Sequence, residues 1–268
     1  ALVSAKLDAG LKPLDALQIG FQAILCAPGF LYLQEGEGQL LDYALASRLS
    51  YFLWSSMPDD ELLKLAAAGT LSEPATRRKQ VERMLADPKG QRFVSNFTRI
   101  WLELDNIGKM PPSKEFLTYY RDNLESAMRK ETEHFFGHVL KENLPPREFL
   151  AADYSFLNRE LAEHYGMPGL KGNHFRKVSL PNASRGGILG HGSFLTASAN
   201  GVDTSPVVRG IYVMNKLLDY TPPPPPDDVP AIEPDVRGAT TLREQLIKHR
   251  ADVTCAQCHN KIDPSGFA

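Results

Sequence analysis

Five consecutive prolines, Pro222 to Pro226, can enter neither a helix interior nor a central strand, because proline lacks an amide hydrogen and fixes its own φ. Such a run adopts extended polyproline II at about 3.1 Å per residue, a stiff spacer of roughly 15 Å, and Pro230 and Pro234 prolong it. It reads either as a boundary between two parts of the chain or as an ordered strap lying on a helical body, and the sequence does not decide between these. The expected division is a body over 1–220, a proline-rich linker over 221–239 and a C-terminal segment over 240–268. Glycines after residue 165 let the body divide again into 1–170 and 171–220.

Apolar residues in the body recur at helical spacing. Leu14, Leu17, Phe21, Ile24 and Leu25 predict a core-facing helix from residue 13, ended at Pro28-Gly29. Leu41, Ala44, Leu45, Leu49, Phe52 and Leu53 predict a second over 40–54, closed by a turn at Ser55-Ser56-Met57-Pro58. Asp59, Asp60 and Glu61 open a third, where acidic groups favour the positive end of the helix dipole. Ser72 is the expected N-cap of a fourth over 73–86. Phe93, Phe97, Ile100 and Trp101 form an aromatic stripe over 90–104 that reads as core packing. The longest helix is expected over 119–142, stopped by Pro145-Pro146, and 175–180 is the one candidate strand.

Past the linker, Thr241-Leu242-Arg243-Glu244 is a capping box. It leads into Cys255-Ala256-Gln257-Cys258-His259. On a helical turn this spacing puts two thiols on one side, where each can add to a vinyl group of haem, with the imidazole of His259 directed at the iron. Rival readings need more than the sequence holds. A structural zinc site wants four ligands, and the third cysteine, Cys26, lies in an apolar stretch without partners. A thioredoxin-like dithiol wants a preceding strand, and neither rival needs His259. The expected cofactor is covalent haem c, held by Cys255, Cys258 and His259. Its tautomer would be set by a backbone carbonyl near Asp263-Pro264.

Candidates for the opposite side of the iron are His191, then Met214 and His249, and each also reads as an ordinary structural residue. His249 is expected to face solvent. Arg209 could meet a haem propionate or any surface carboxylate. Glu131, His134 and His138, at i, i+3 and i+7, could share a helix face. They lack the second Glu-x-x-His of a di-metal bundle and read as a partly solvated polar edge. Gly192-Ser193 lacks the second glycine of a nucleophile elbow.

A net charge of -2 offers no footprint for nucleic acid. No run reaches the roughly 18 apolar residues that a membrane span needs. Covalent haem attachment takes place outside the cytoplasm in bacteria, so a periplasmic or exported protein is expected. The motif lies so near residue 268 that further domains of a longer chain are expected too.

The segment from Ala46 to Asp59, the segment Thr204-Ser205-Pro206-Val207-Val208-Arg209-Gly210, the proline run and Cys255 to Gly266 follow one another in fixed order. In that order they resemble the large exported c-type cytochrome-like proteins of planctomycetes, built from several conserved domains of unknown function. The resemblance covers nearly the whole chain. It implies a mostly helical extracytoplasmic protein with haem and supplies no reaction. Locally, Cys255 to Gly266 is also similar to the haem motifs of dihaem cytochrome c peroxidases. The expected architecture is a mainly α multi-helix body with little or no β, a proline-rich linker and a partial cytochrome c-like haem-attachment helix. The expected function is electron transfer, with a redox partner protein. A haem peroxidase-like oxidoreductase and a non-catalytic binding module on an exported assembly are the alternatives.

Overall fold

The structure, a computed structural model, describes residues 1–32, 38, 41–109, 112–115, 123–181, 185–199, 205–223, 241–251 and 253–267. It is mainly helical with one two-stranded sheet among the described residues. The chain forms two compact units, Ala1–Phe93 and Val94–Ala268. Most of the proline-rich stretch, and the start of the helix expected from residue 119, lie outside the described residues.

In the first unit α1 (Leu2–Asp8), α2 (Pro13–Leu25) and α3 (Pro28–Leu31) precede α4 (Asp42–Trp54), α5 (Asp60–Ala67) and α6 (Pro74–Ala86). Trp54 anchors the core with Leu53, Leu62, Leu71 and Met84. Its indole N–H donates to the Met84 carbonyl at 2.8 Å, so the one polar atom of the buried ring is satisfied. Ser55 takes a left-handed conformation (φ 50) to end α4. Asp59 then caps α5 by accepting from the Leu62 amide at 3.0 Å, and Arg83 grips the same carboxylate at 2.7 and 3.1 Å. Burial pushes the Asp59 carboxyl up, but the Arg83 guanidinium and the Leu62 amide outweigh it and hold it below its ordinary value. Asp59→Ala is expected to lower the stability of this unit by about 1–2 kcal/mol, and Asp59→Asn by less because it keeps the cap. Denaturant midpoints of the two variants give the comparison.

The sequence marks α2 as core, and the structure does not bury it. Of its residues only Ala16 is buried, while Leu14, Leu17, Phe21, Ile24 and Leu25 are exposed. Among the described residues the seven-residue α1 lies over this stripe, leaving an open groove of about 420 Å3 lined by Leu2, Leu17, Phe21 and Ile24. Helical spacing reports which residues share a face, not whether a partner lies over it. Ser72 likewise does not cap the next helix. Its amide donates to Asp42 and Glu73 takes the N-cap position.

Crossing into the second unit, α7 (Gln91–Trp101) leads by a one-turn 3-10 helix to α8 (Leu124–Lys141), the longest element. Then come α9 (Glu148–Ala151), β1 (Tyr154–Leu157), α10 (Arg159–His164) and β2 (Arg176–Ser179). The two strands pair antiparallel with Tyr154 opposite Ser179, and β2 falls where the sequence placed its candidate strand. Phe135, Val139, Tyr154, Ile188 and Phe194 build the core around α8, and Leu124, Met128, Leu157 and Leu161 form a second cluster at its start.

The unit ends with α11 (Gly192–Ala197), α12 (Pro206–Leu217), α13 (Leu242–His249) and α14 (Val253–Gly266). The segments before and after the proline-rich stretch pack directly on one another through α12 and α14. A Cβ on Gly266 would fall on the Pro206 carbonyl oxygen and 3.1 Å from the Gly210 amide nitrogen. One on Gly210 would meet the Ile262 carbonyl oxygen and come within 2.8 Å of Cγ2 of Ile262. Both glycines are there so that two helix backbones can touch. Thr241 and Glu244 form the expected capping box of α13, each side chain bonded to the other's backbone N–H.

Candidate functional site

Cys255, Cys258 and His259 fall within one turn of α14, so at 100° per residue they share a single face of it. Cys255 is buried, Cys258 and His259 are half-buried, and neither cysteine is in a disulfide. His259 borders an open cleft of about 330 Å3 walled by Pro206 and Val207 of α12 and by Leu242, Leu246 and His249 of α13. The stretches at 205–210 and 255–266, far apart along the sequence, therefore meet in one place.

His259 does not use a backbone carbonyl. Its Nδ1 lies 2.9 Å from Oδ1 of Asp263, one helical turn on. Since a carboxylate oxygen only accepts, this contact puts the hydrogen on Nδ1. Nε2 has no hydrogen-bond partner among the described residues. The expected carbonyl is already occupied, because α14 continues through Pro264 and the Asp263 oxygen accepts from the Phe267 amide at 3.1 Å. His and Asp at i, i+4 were the signal for this pairing, because side chains four apart on a helix meet.

His249 is half-buried at the open cleft and does not simply face solvent. Its ring stands edge-on to His259, 4.7 Å between centroids. Met214 is buried on α12, and Arg209 is half-buried there, where burial lowers its guanidinium from the ordinary value.

His191 has different neighbours. It is buried beside α8, its Nδ1 2.9 Å from the Thr132 hydroxyl and its ring edge-on to Phe135. Thr132 also bonds Ser193 at 2.6 Å, and Nε2 of His191 is buried without a hydrogen-bond partner among the described residues. Burial, with the Arg185 charge, pushes the imidazole down to about 3.

Glu131, His134 and His138 do not form a joint polar edge. Successive side chains of β1 point to opposite faces and separate them. Ser155 donates to Oε1 of Glu131 at 2.6 Å. Phe156 lies against the rings of His134 and His138. Glu131 is 1% exposed and accepts further from Tyr165 (2.6 Å) and the Gly192 amide (3.3 Å). Burial outweighs these three donors and raises its carboxyl to about 7. A glutamate between Met128 and Phe135 on the inner stripe of α8 was the legible sign of this buried group. Among the described residues no three His, Cys, Asp or Glu side chains are grouped to hold a metal ion by themselves, and no helix is long and apolar enough to cross a membrane.

No curated protein and no solved structure matches this chain. Residues 40–167 match the family model PSD4, described as a protein of unknown function (DUF1592). Residues 185–268 match PSCyt3, also described as a protein of unknown function (DUF1588), and so include the whole Cys255–His259 site and every wall of its cleft. Along most of its length the chain is thus similar to two domains of unknown function in series, the second with a cytochrome-associated name.

Proposed function

We propose that Cys255 and Cys258 attach haem through thioethers, that Nε2 of His259 binds its iron, and that the protein is an extracytoplasmic electron carrier of the planctomycete cytochrome-like kind. The observation that carries this reading is the two thiols and the imidazole on one turn of α14, with His259 held at Nδ1 by Asp263 so that Nε2 is the nitrogen left over. When bound, haem supplies a one-electron iron couple.

The chain's own groups do the rest. Each thiol adds its sulfur to one carbon of a vinyl group and its hydrogen to the other, so attachment consumes no oxidant and needs both cysteines reduced. Leu242 and Leu246 give the cleft an apolar wall, and Pro206 closes the side toward α12. At about 330 Å3 the cleft is at the small end of ligand sites, and its open side leaves a partner protein access to an exposed edge.

The test is to export the chain in a bacterium that attaches c-type haem and look for haem that stays with the polypeptide after denaturation. Wild type is expected to carry it, and Cys255→Ala with Cys258→Ala to lose at least tenfold. Low-spin haem without peroxide turnover supports electron transfer. High-spin haem with peroxide turnover supports a peroxidase instead. Wild-type protein made in good yield without haem sinks both and leaves a non-catalytic binding module.

A further inference from the structure

We infer that Asp263 is a positioning residue for His259: it holds the imidazole with its hydrogen on Nδ1 and enriches Nε2 in electron density, so that the iron site favours the ferric state. This rests on the haem reading above. A carboxylate behind a ligating imidazole raises the ligand's basicity beyond what a neutral carbonyl achieves, because the developing imidazolium character is balanced by a full negative charge. A more basic imidazole stabilises the more highly charged iron, which lowers the reduction potential.

The geometry singles Asp263 out. Its side chain is 1% exposed, and a buried carboxylate is costly unless both oxygens are satisfied. Only Oδ1 is, and its partner is His259 at 2.9 Å. Among the described residues Oδ2 makes no hydrogen bond and its nearest charge is the Arg250 Nε at 3.5 Å, close enough to balance the carboxylate but not aligned to donate. The charged and titratable groups facing the pair are Arg250 from the turn after α13 and His249 from its last turn. Packing against α12 falls to Ile262 and Gly266 on either side, so the carboxylate is not what joins the helices. An apolar residue at 263 would fill the same space with no oxygen left unpaired. Of the two groups beside the carboxylate, Arg250 and His259, only His259 is aligned to hydrogen-bond it.

Two measurements decide it, one of which needs no haem. In the apo chain at pH 8, 15N-detected NMR should find His259 predominantly protonated at Nδ1. Asp263→Ala should abolish that preference, and Asp263→Glu should restore part of it. In the haem-loaded chain, Asp263→Asn keeps the shape and an acceptor oxygen but removes the charge. It is expected to shift the ferric-over-ferrous preference about tenfold, a rise of about 59 mV for a one-electron couple. A wild-type His259 without excess Nδ1–H, or an Asp263→Asn potential equal to wild type, overturns the inference. Absence of haem on wild type overturns the reading it rests on, and the apo tautomer then decides the role of Asp263 alone.

Discussion

Gly266→Ala should lower the stability of the second unit by about 3 kcal/mol, the upper end of an overpacking penalty, and should release α14 from α12. The added methyl would fall on the Pro206 carbonyl oxygen, 2.6 Å from its carbon. These are backbone atoms of a helix start, with no flexible side chain to swing away. Relief requires the helices to separate, which uncovers Ile262 and opens the cleft beside His259. Gly29→Ala is the control. Its Cβ meets nothing within 4 Å, and it replaces a glycine in a short helix, so its midpoint should stay level or rise slightly. Chemical denaturation followed by circular dichroism measures both. Equal midpoints for Gly266→Ala and wild type would mean that the two backbones do not touch.

Glu131→Gln should remove a pH dependence of stability between pH 4.5 and 7. In the folded chain burial raises this carboxyl from 4.5 to about 7, so the native state holds a proton there that the unfolded chain has released. A raised carboxyl pKa contributes stability that is complete below pH 4.5 and lost as pH rises through about 7. At 1.36 kcal/mol per pH unit the loss is about 3 kcal/mol. Glutamine fits the same partners. Its oxygen can accept from Tyr165 and Gly192, and its NH2 can donate to Ser155, whose hydroxyl accepts as readily as it donates. His191 works in the opposite sense. Its imidazole is lowered to about 3, so its contribution is present above pH 6.5 and lost as pH falls toward 3. Taking the difference between wild type and Glu131→Gln at each pH cancels His191 and isolates Glu131. Glu131→Ala, by contrast, strands the Ser155 and Tyr165 hydroxyls, while the Gly192 amide keeps its bond to Tyr165 at 2.6 Å, and should cost about 2–5 kcal/mol at pH 5, at about 1–3 kcal/mol for each unsatisfied group. Parallel stability curves for wild type and the glutamine variant would place the glutamate in solvent.

Much of the architecture was readable because helices are local. The apolar spacing of α4 to α8, the capping box at Thr241 and the strand at 176–179 follow from short stretches of chain, since backbone hydrogen bonds and caps span only a few residues. The candidate site was readable for the same reason: Cys255, Cys258 and His259 lie within five residues. What failed was whatever depends on a distant partner. Leu17 and Phe21 have the spacing of core residues, yet both are exposed, with only a seven-residue helix over them among the described residues. Glu131 and His134 share a face of α8, yet strand β1 sends Ser155 to one and Phe156 to the other.

The amino-acid sequence by itself determined that the protein is mainly helical and that two thiols and an imidazole stand on one turn near its end. Only the tertiary structure decided that this turn packs on the 206–217 helix through Gly210 and Gly266 and that the Asp263 carboxylate beside His259 is buried. The physical reason is range. Backbone propensity and side-chain spacing act within a turn or two. Close approach of two backbones and burial of a charge depend on residues brought together from dozens of positions apart.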